Sequence, residues 1–350
     1  MVTEFKPHRT ATKCHIARPI AVAYDFFRTY LTPMESLMKR FMFSFPAALF
    51  GLTLFIGIST VTLASCGASG CPIQYSLQSS MAGKWGIAMD YTYINQTTLM
   101  TGSNAMDAAQ STMHHTEIET YSRFLNTHIN YQITDQWGVS STIPVVWRKH
   151  AHTHHHHGAA LHDEWELSGF GDTWIDGSYS METILWGNPL IAEAGIKLPT
   201  GVTRLRNGTG AEAEVPIQPG SGSTDYRWGL RTKLPAQFFV QYTLNGIGTD
   251  GWKTGNEIVA GVRTDGLLNP SLRLLAGLTG RYRTKADAGT TRESINNTGG
   301  KSVIADLGLE VSIMPKMTWS ISSYLPIYQF VNGEQLGLGS IIQTRISVPL

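Results

Sequence analysis

From Trp85 to the end of the chain, large apolar residues recur at every second position, and no other feature constrains the fold as tightly. Trp85, Ile87, Met89, Tyr91 and Tyr93 share one side of the first such run; Ile342, Ile346, Val348 and Leu350 share one side of the last. Successive side chains of a strand point to opposite faces, so each run predicts a strand with one apolar and one polar face. In the run from Asp225, Tyr226, Trp228 and Leu230 oppose Asp225, Arg227 and Arg231. Such a strand separates two unlike solvents. In a soluble sandwich these are core and water; in a membrane barrel they are lipid and lumen.

The connections favour the barrel. Twelve runs are counted, at about 85–93, 121–133, 139–147, after Gly171-Asp172, and at 190–198, 225–231, 238–244, 257–263, 272–283, 303–313, 319–325 and 342–350. Short connections near Asp135, Trp186, Pro235, Asn269 and Pro315 alternate with long ones at about 96–117, 149–165, 201–222, 246–254 and 286–300, and a shorter one surrounds Asn332. A soluble sandwich has no reason to sort its loops by length, whereas an outer-membrane barrel does. Aromatic residues near strand ends (Trp85, Trp137, Trp147, Trp186, Trp228, Trp319 and Tyr282) are placed as an interfacial girdle would be. Closure into a ring leaves no strand edge unpaired in lipid. The expectation is an all-β, twelve-stranded antiparallel transmembrane β-barrel of outer-membrane type over 83–350.

Residues 38–66 read as an export signal, with Lys39-Arg40 ahead of an uncharged apolar run from Phe41 to Leu63. Leu63-Ala64-Ser65-Cys66 has the form of a lipobox, which makes Cys66 a lipidation candidate. Ordinary cleavage after Ala64 and an uncleaved apolar helix are the alternatives. Residues 1–37 lie ahead of the signal and have no periodicity, and 67–82 form a short linker. The other cysteines are Cys14 and Cys71, too few for a disulfide framework. The 27 Lys and Arg balance 26 Asp and Glu with no basic cluster beyond the signal, so nucleic acid is not expected as a partner. Outer-membrane lipid and small solutes are.

Two groups of residues could carry chemistry. By alternation, Asp90, Asp172, Asp176, Glu193, Lys197, Asp225, Arg227, Arg231, Glu257, Arg263, Arg273, Arg281, Asp306, Glu310 and Arg345 line the lumen. Facing acidic and basic side chains would set a transverse field that selects small polar or aromatic-acid solutes; the same charges could instead pair and plug a narrow barrel. Seven of the twelve histidines, His150, His152, His154, His155, His156, His157 and His162, fall within thirteen residues in the second long connection. Imidazoles at that density hold Zn, Cu or Ni at least adventitiously, and no cofactor is required. As a solvated tract they would simply gain charge as pH falls through the histidine range. His114-His115 lie at the same end. No catalytic residue is assigned: Gly-x-Ser-x-Gly is absent, and His128, flanked on its own face by Asn126 and Asn130, reads as a hydrogen-bonded lining residue.

Three segments also carry a resemblance: Gly171-Asp172 ahead of a strand, Lys197-Leu198-Pro199-Thr200-Gly201 at a strand end, and Gly220-Ser221-Gly222-Ser223-Thr224-Asp225 at a strand start. In this order they resemble the MetA-pathway phenol-degradation family of outer-membrane transporter-like barrels. Ser221 stands where that family usually has Thr, and Leu350 ends a chain where such barrels often end in an aromatic residue. The resemblance implies a channel or transporter-like barrel for passive passage of small solutes, aromatic or small polar compounds among them. The rival expectation is a non-conducting surface barrel that binds metal ions through the His-rich loop. A lipid-anchored soluble sandwich comes third.

Overall fold

The computed structural model describes residues 84–350, except 112–114, 157–158, 186–187, 233–235 and 290–294. The export signal, Cys66, the linker, His157 and Trp186 lie outside the described residues. The strands are β1 (Trp85–Gln96), β2 (Leu99–Gly102), β3 (Asn104–Ala105), β4 (His115–Gln132), β5 (Trp137–His156), β6 (Ala159–Phe170), β7 (Thr173–Leu185) and β8 (Asn188–Leu198). They continue as β9 (Asp225–Thr232), β10 (Ala236–Leu244), β11 (Glu257–Asn269), β12 (Leu272–Arg283), β13 (Gly300–Met314), β14 (Met317–Leu336) and β15 (Ile341–Pro349).

Twelve of these strands form a closed antiparallel ring in the order β1-β4-β5-β7-β8-β9-β10-β11-β12-β13-β14-β15. The ring shuts where β15 pairs with β1, with Asp90 opposite Arg345. The Leu350 amide donates to the Trp85 carbonyl at 2.8 Å, which puts both ends of the barrel at its short-turn rim. Residues directly opposite in an antiparallel pair share a face, so one register fixes inside and outside for the whole ring.

The two faces have different chemistry. On β1, Trp85, Ile87, Met89 and Tyr91 are exposed, while Ala88, Asp90, Thr92 and Ile94 are buried. Exposed Trp228 lies between Tyr226 and Tyr242, each 6.4 Å away and nearly parallel to it. An apolar belt of this extent would cost solubility in water and is at home in lipid. The fold is a twelve-stranded outer-membrane-type barrel.

Part of the long second connection is strand, where a loop was expected. β5 pairs with β7 only from Trp137 to Thr142, then continues upward and pairs with β6 from Val145 to His156. β6 returns along it and re-enters the ring as β7 after a bend at Gly171-Asp172. The histidine repeat hid this strand, because His150 to His156 carry no apolar alternation; its inner side is covered by apolar residues of β6 and of the connection 199–224. The upper ends of β2, β3 and β14 pair in a second extension.

Candidate functional site: the lumen and its loop cap

The three resemblance segments, distant in sequence, meet at the long-loop rim. Gly201 and Gly220 pack backbone to backbone: a Cβ on Gly201 would lie 2.6 Å from the Cα of Gly220, and one on Gly220 would lie 2.5 Å from the carbonyl carbon of Gly201. Only glycine allows this approach. Asp172 ties the segments together, accepting from the Gly201 amide at 2.9 Å, the Ser221 amide at 2.8 Å and the Ser221 hydroxyl at 2.6 Å. Lys197 sits at the centre, 2% exposed. Its Nζ donates to Ser221 Oγ at 2.7 Å, lies 3.3 Å from Asp172 and pairs with Asp225. A buried ammonium holds its charge only when paired and hydrogen-bonded, and here the starts of the two neighbouring strands, β7 and β9, supply the partners.

Below this junction, two ion pairs each span three strands by passing over a glycine. Asp176 on β7, Gly195 on β8 and Arg227 on β9 lie on one hydrogen-bonded row, and the carboxylate grips the guanidinium across Gly195. A Cβ on Gly195 would come within 2.0 Å of Asp176 Oδ1. Arg263, Gly277 and Asp306 repeat the device on β11, β12 and β13: the charges meet at 3.3 Å, and a Gly277 Cβ would lie 2.3 Å from Asp306 Oδ1. The Arg227 guanidinium also stacks 4.1 Å from the Trp174 ring. Alternation alone placed these charges on one face; it did not show the glycines between them.

Most of the remaining inner charges also pair along the wall. Glu193 takes Arg231 at 2.8 Å, and Glu257 takes both Arg281 and Arg283. Asp90 accepts from Asn126 at 2.8 Å and from Gln343 at 3.2 Å, and bonds His128, whose Nδ1 meets Thr142 at 3.0 Å. Arg273 pairs with Asp265 at 3.3 Å near the short-turn rim, where its side chain is 47% exposed; Glu310 is half-buried. Arg345 is buried, donates through Nε to Ser347 at 3.1 Å, and its Nη1 has no hydrogen-bond partner among the described residues. Beside these charges lies a buried apolar cluster of Ile94, Phe124, Val146, Ile304, Tyr324, Leu338 and Ile341.

The connection 199–224 folds inward over this lumen. A short turn at Val215–Ile217 is held by Arg148, whose Nη1 donates to the Ile217 carbonyl at 2.8 Å and the Pro216 carbonyl at 3.3 Å while Nε reaches Ser122 at 2.9 Å. Trp165 and Leu167 of β6 pack on Ala213 and Ile217, and Val215 packs on Trp252 and Ala286 from the next two loops. The apolar residues scattered through 202–217 were the available signal. From Leu205 onward they pack against the barrel or one another, with Ala213, Val215 and Ile217 buried, which a solvated loop would not do.

Of the histidines expected to hold metal, the described side chains divide in two. His162 is exposed and contacts Glu164 at 3.2 Å. His150 and His152 are buried on the inner side of the extension, three and five residues beyond Trp147. His150 Nδ1 meets Thr120 at 2.8 Å, and burial pushes this imidazole down to about 3, keeping it neutral. His154, His155 and His156 lie on the strand backbone near its tip. His115 and Glu214 join His152: His115 Nδ1 is 3.2 Å and His152 Nδ1 is 3.6 Å from Glu214 Oε1. Glu214, from a different loop, was not among the expected ligands; sequence distance concealed it.

No protein-family model matches the chain, and no curated sequence does. Solved structures do. An outer membrane channel from Pseudomonas putida F1 is 11% identical and aligns over 80% of this chain and 99% of its own, with a TM-score of 0.55. The transport unit of the autotransporter AIDA-I from Escherichia coli is 10% identical over 80% of this chain and 92% of its own, at 0.42. The translocator domain of the autotransporter NalP from Neisseria meningitidis is 10% identical over 77% and 90%, at 0.41. The first of these likenesses agrees with the ring order and the belt: the chain has the fold of an outer-membrane β-barrel.

Proposed function

We propose that the protein is a narrow outer-membrane channel that passes small solutes combining an apolar body with an anionic or polar group, and that loop 199–224 closes it. The observation that carries this reading is the inner face itself. The strand ion pairs described above all close between strands no more than two places apart around the ring, so they line the wall and do not tie opposite sides together. On that wall an apolar layer adjoins buried Arg345, whose Nη1 is left for a ligand. Apolar side chains hold a ring or aliphatic body, and a desolvated guanidinium holds a carboxylate or hydroxyl. The three-segment motif further supports membership among the MetA-pathway phenol-degradation barrels, and the P. putida likeness, to a protein described as a channel, agrees.

Liposome swelling with benzoate and with a neutral sugar of similar size tests the reading. Wild-type protein admits benzoate faster, and Arg345→Gln removes that preference while leaving the sugar rate. Equal rates for both solutes in wild type would refute it. The rival, a sealed surface barrel that captures metal, predicts no swelling with either solute.

A further inference from the structure

We propose that His115, His152 and Glu214 form a binding site for a divalent cation of the zinc type that latches loop 199–224 to the barrel wall. Their ligand atoms all lie within 4.8 Å of one another. Tetrahedral bonds of about 2.0–2.2 Å set ligand atoms about 3.3–3.6 Å apart, and the two imidazole–carboxylate distances are 3.2 and 3.6 Å. The His115 and His152 rings are 3.9 Å apart and tilted by 56°, both turned on the same carboxylate.

The site is built, unlike a flexible histidine tract. His115 starts β4 and His152 sits on β5, adjacent strands in hydrogen-bonded register. The Trp165 ring lies 4.7 Å from the His152 ring and donates its indole N–H to the Ala211 carbonyl at 3.1 Å, so the wall and the loop meet behind the ligands. His150 lies alongside, its ring 5.5 Å from that of His152. Its buried Nε2 has no hydrogen-bond partner among the described residues. Two imidazoles and a carboxylate suit Zn²⁺ and bind Cu²⁺ or Ni²⁺ as well. Three protein ligands leave one position to water or to His150, which suits a reversible latch better than a permanent structural site.

The consequence follows from the topology. Two ligands belong to the wall, and the third immediately precedes the turn that Arg148 holds. A bound cation therefore adds its own binding free energy to loop docking, in proportion to occupancy. This regulatory consequence rests on the channel reading; the binding itself does not.

The test uses the full chain refolded in detergent, with Zn²⁺ as the probe. Replacing His154, His155, His156 and His157 by serine removes the adventitious tract. That variant should retain one Zn²⁺ per chain against a competing chelator. Adding Glu214→Gln, or separately His152→Ala, removes a direct ligand and should weaken retention by more than the roughly 10- to 100-fold that loss of an outer-shell partner costs. Glu214→Gln is on a loop and should leave the barrel's heat-modifiable mobility intact, which separates loss of the site from misfolding. In the tract variant, Zn²⁺ should also slow proteolysis at Arg204 and Arg206. Binding lost with the tract alone, or unaffected by Glu214→Gln, overturns the site. Zn²⁺ binding without conductance would retain the site and sink only the channel.

Discussion

Gly195→Ala isolates the arrangement that most distinguishes this lumen. The new methyl would lie 2.0 Å from Asp176 Oδ1, 2.9 Å from its Cγ and 3.2 Å from Arg227 Cγ, so the carboxylate must leave its position. Asp176 and Arg227 are 5% and 8% exposed, and separating them leaves two charges largely without water. Breaking such a buried pair costs about 3–5 kcal/mol. If the strands shift to keep the pair, overpacking costs about 1–3 kcal/mol instead. A loss of about 3 kcal/mol moves the unfolding equilibrium by more than about 100-fold. The control is Gly177→Ala on the outer face of the neighbouring strand, where a Cβ meets nothing nearer than the Ala194 carbonyl at 3.9 Å. That change should be neutral, or stabilising by up to about 1 kcal/mol through the unfolded chain. Reversible urea unfolding of the refolded protein in lipid vesicles measures both. Equal effects of the two substitutions would refute the view that an ion pair bridges the glycine.

Other expectations follow from the rim and the cap. Gly201→Ala meets backbone, not a movable side chain, so it should abolish the rim junction and cost more than Gly195→Ala in the same assay. Lys197→Met leaves Asp172 and Asp225 buried without their cation and should destabilise by about 3–5 kcal/mol, with Asp225→Asn in the same chain recovering part of the loss. Arg148→Met removes the donors to the Pro216 and Ile217 carbonyls; at about 1–3 kcal/mol for a stranded group, single-channel records should show the open fraction rising roughly five- to 150-fold. An unchanged open fraction would mean that Arg148 does not hold the loop shut.

The twelve strands, their facing and the alternation of turn lengths were legible because lipid and lumen impose opposite chemistry on successive residues, a period-two signal that survives without any relative. Asp90, Asp176, Lys197 and Glu257 were placed on the inner face by that signal alone. What it could not give was pairing between strands. Nothing near Gly195 or Gly277 in sequence indicates that a charge pair passes over it, because the partners sit 19 and 32 residues from Gly195 and 14 and 29 residues from Gly277. The His150–His157 stretch misled in the other direction. A run of one polar residue type erases alternation, so a strand looked like a loop and its histidines looked unordered. Glu214 was hidden for the same reason as the glycine bridges: its neighbours arrive from other strands.

The most direct test of the channel account is single-channel conductance of the refolded protein in planar bilayers, comparing wild type with a variant whose residues 205–217 are replaced by a short Gly-Ser link. A loop-gated channel predicts infrequent small steps in wild type and frequent, larger steps in the variant. Silence from both, in preparations that show heat-modifiable barrel mobility, would contradict it and leave a sealed barrel whose rim binds metal.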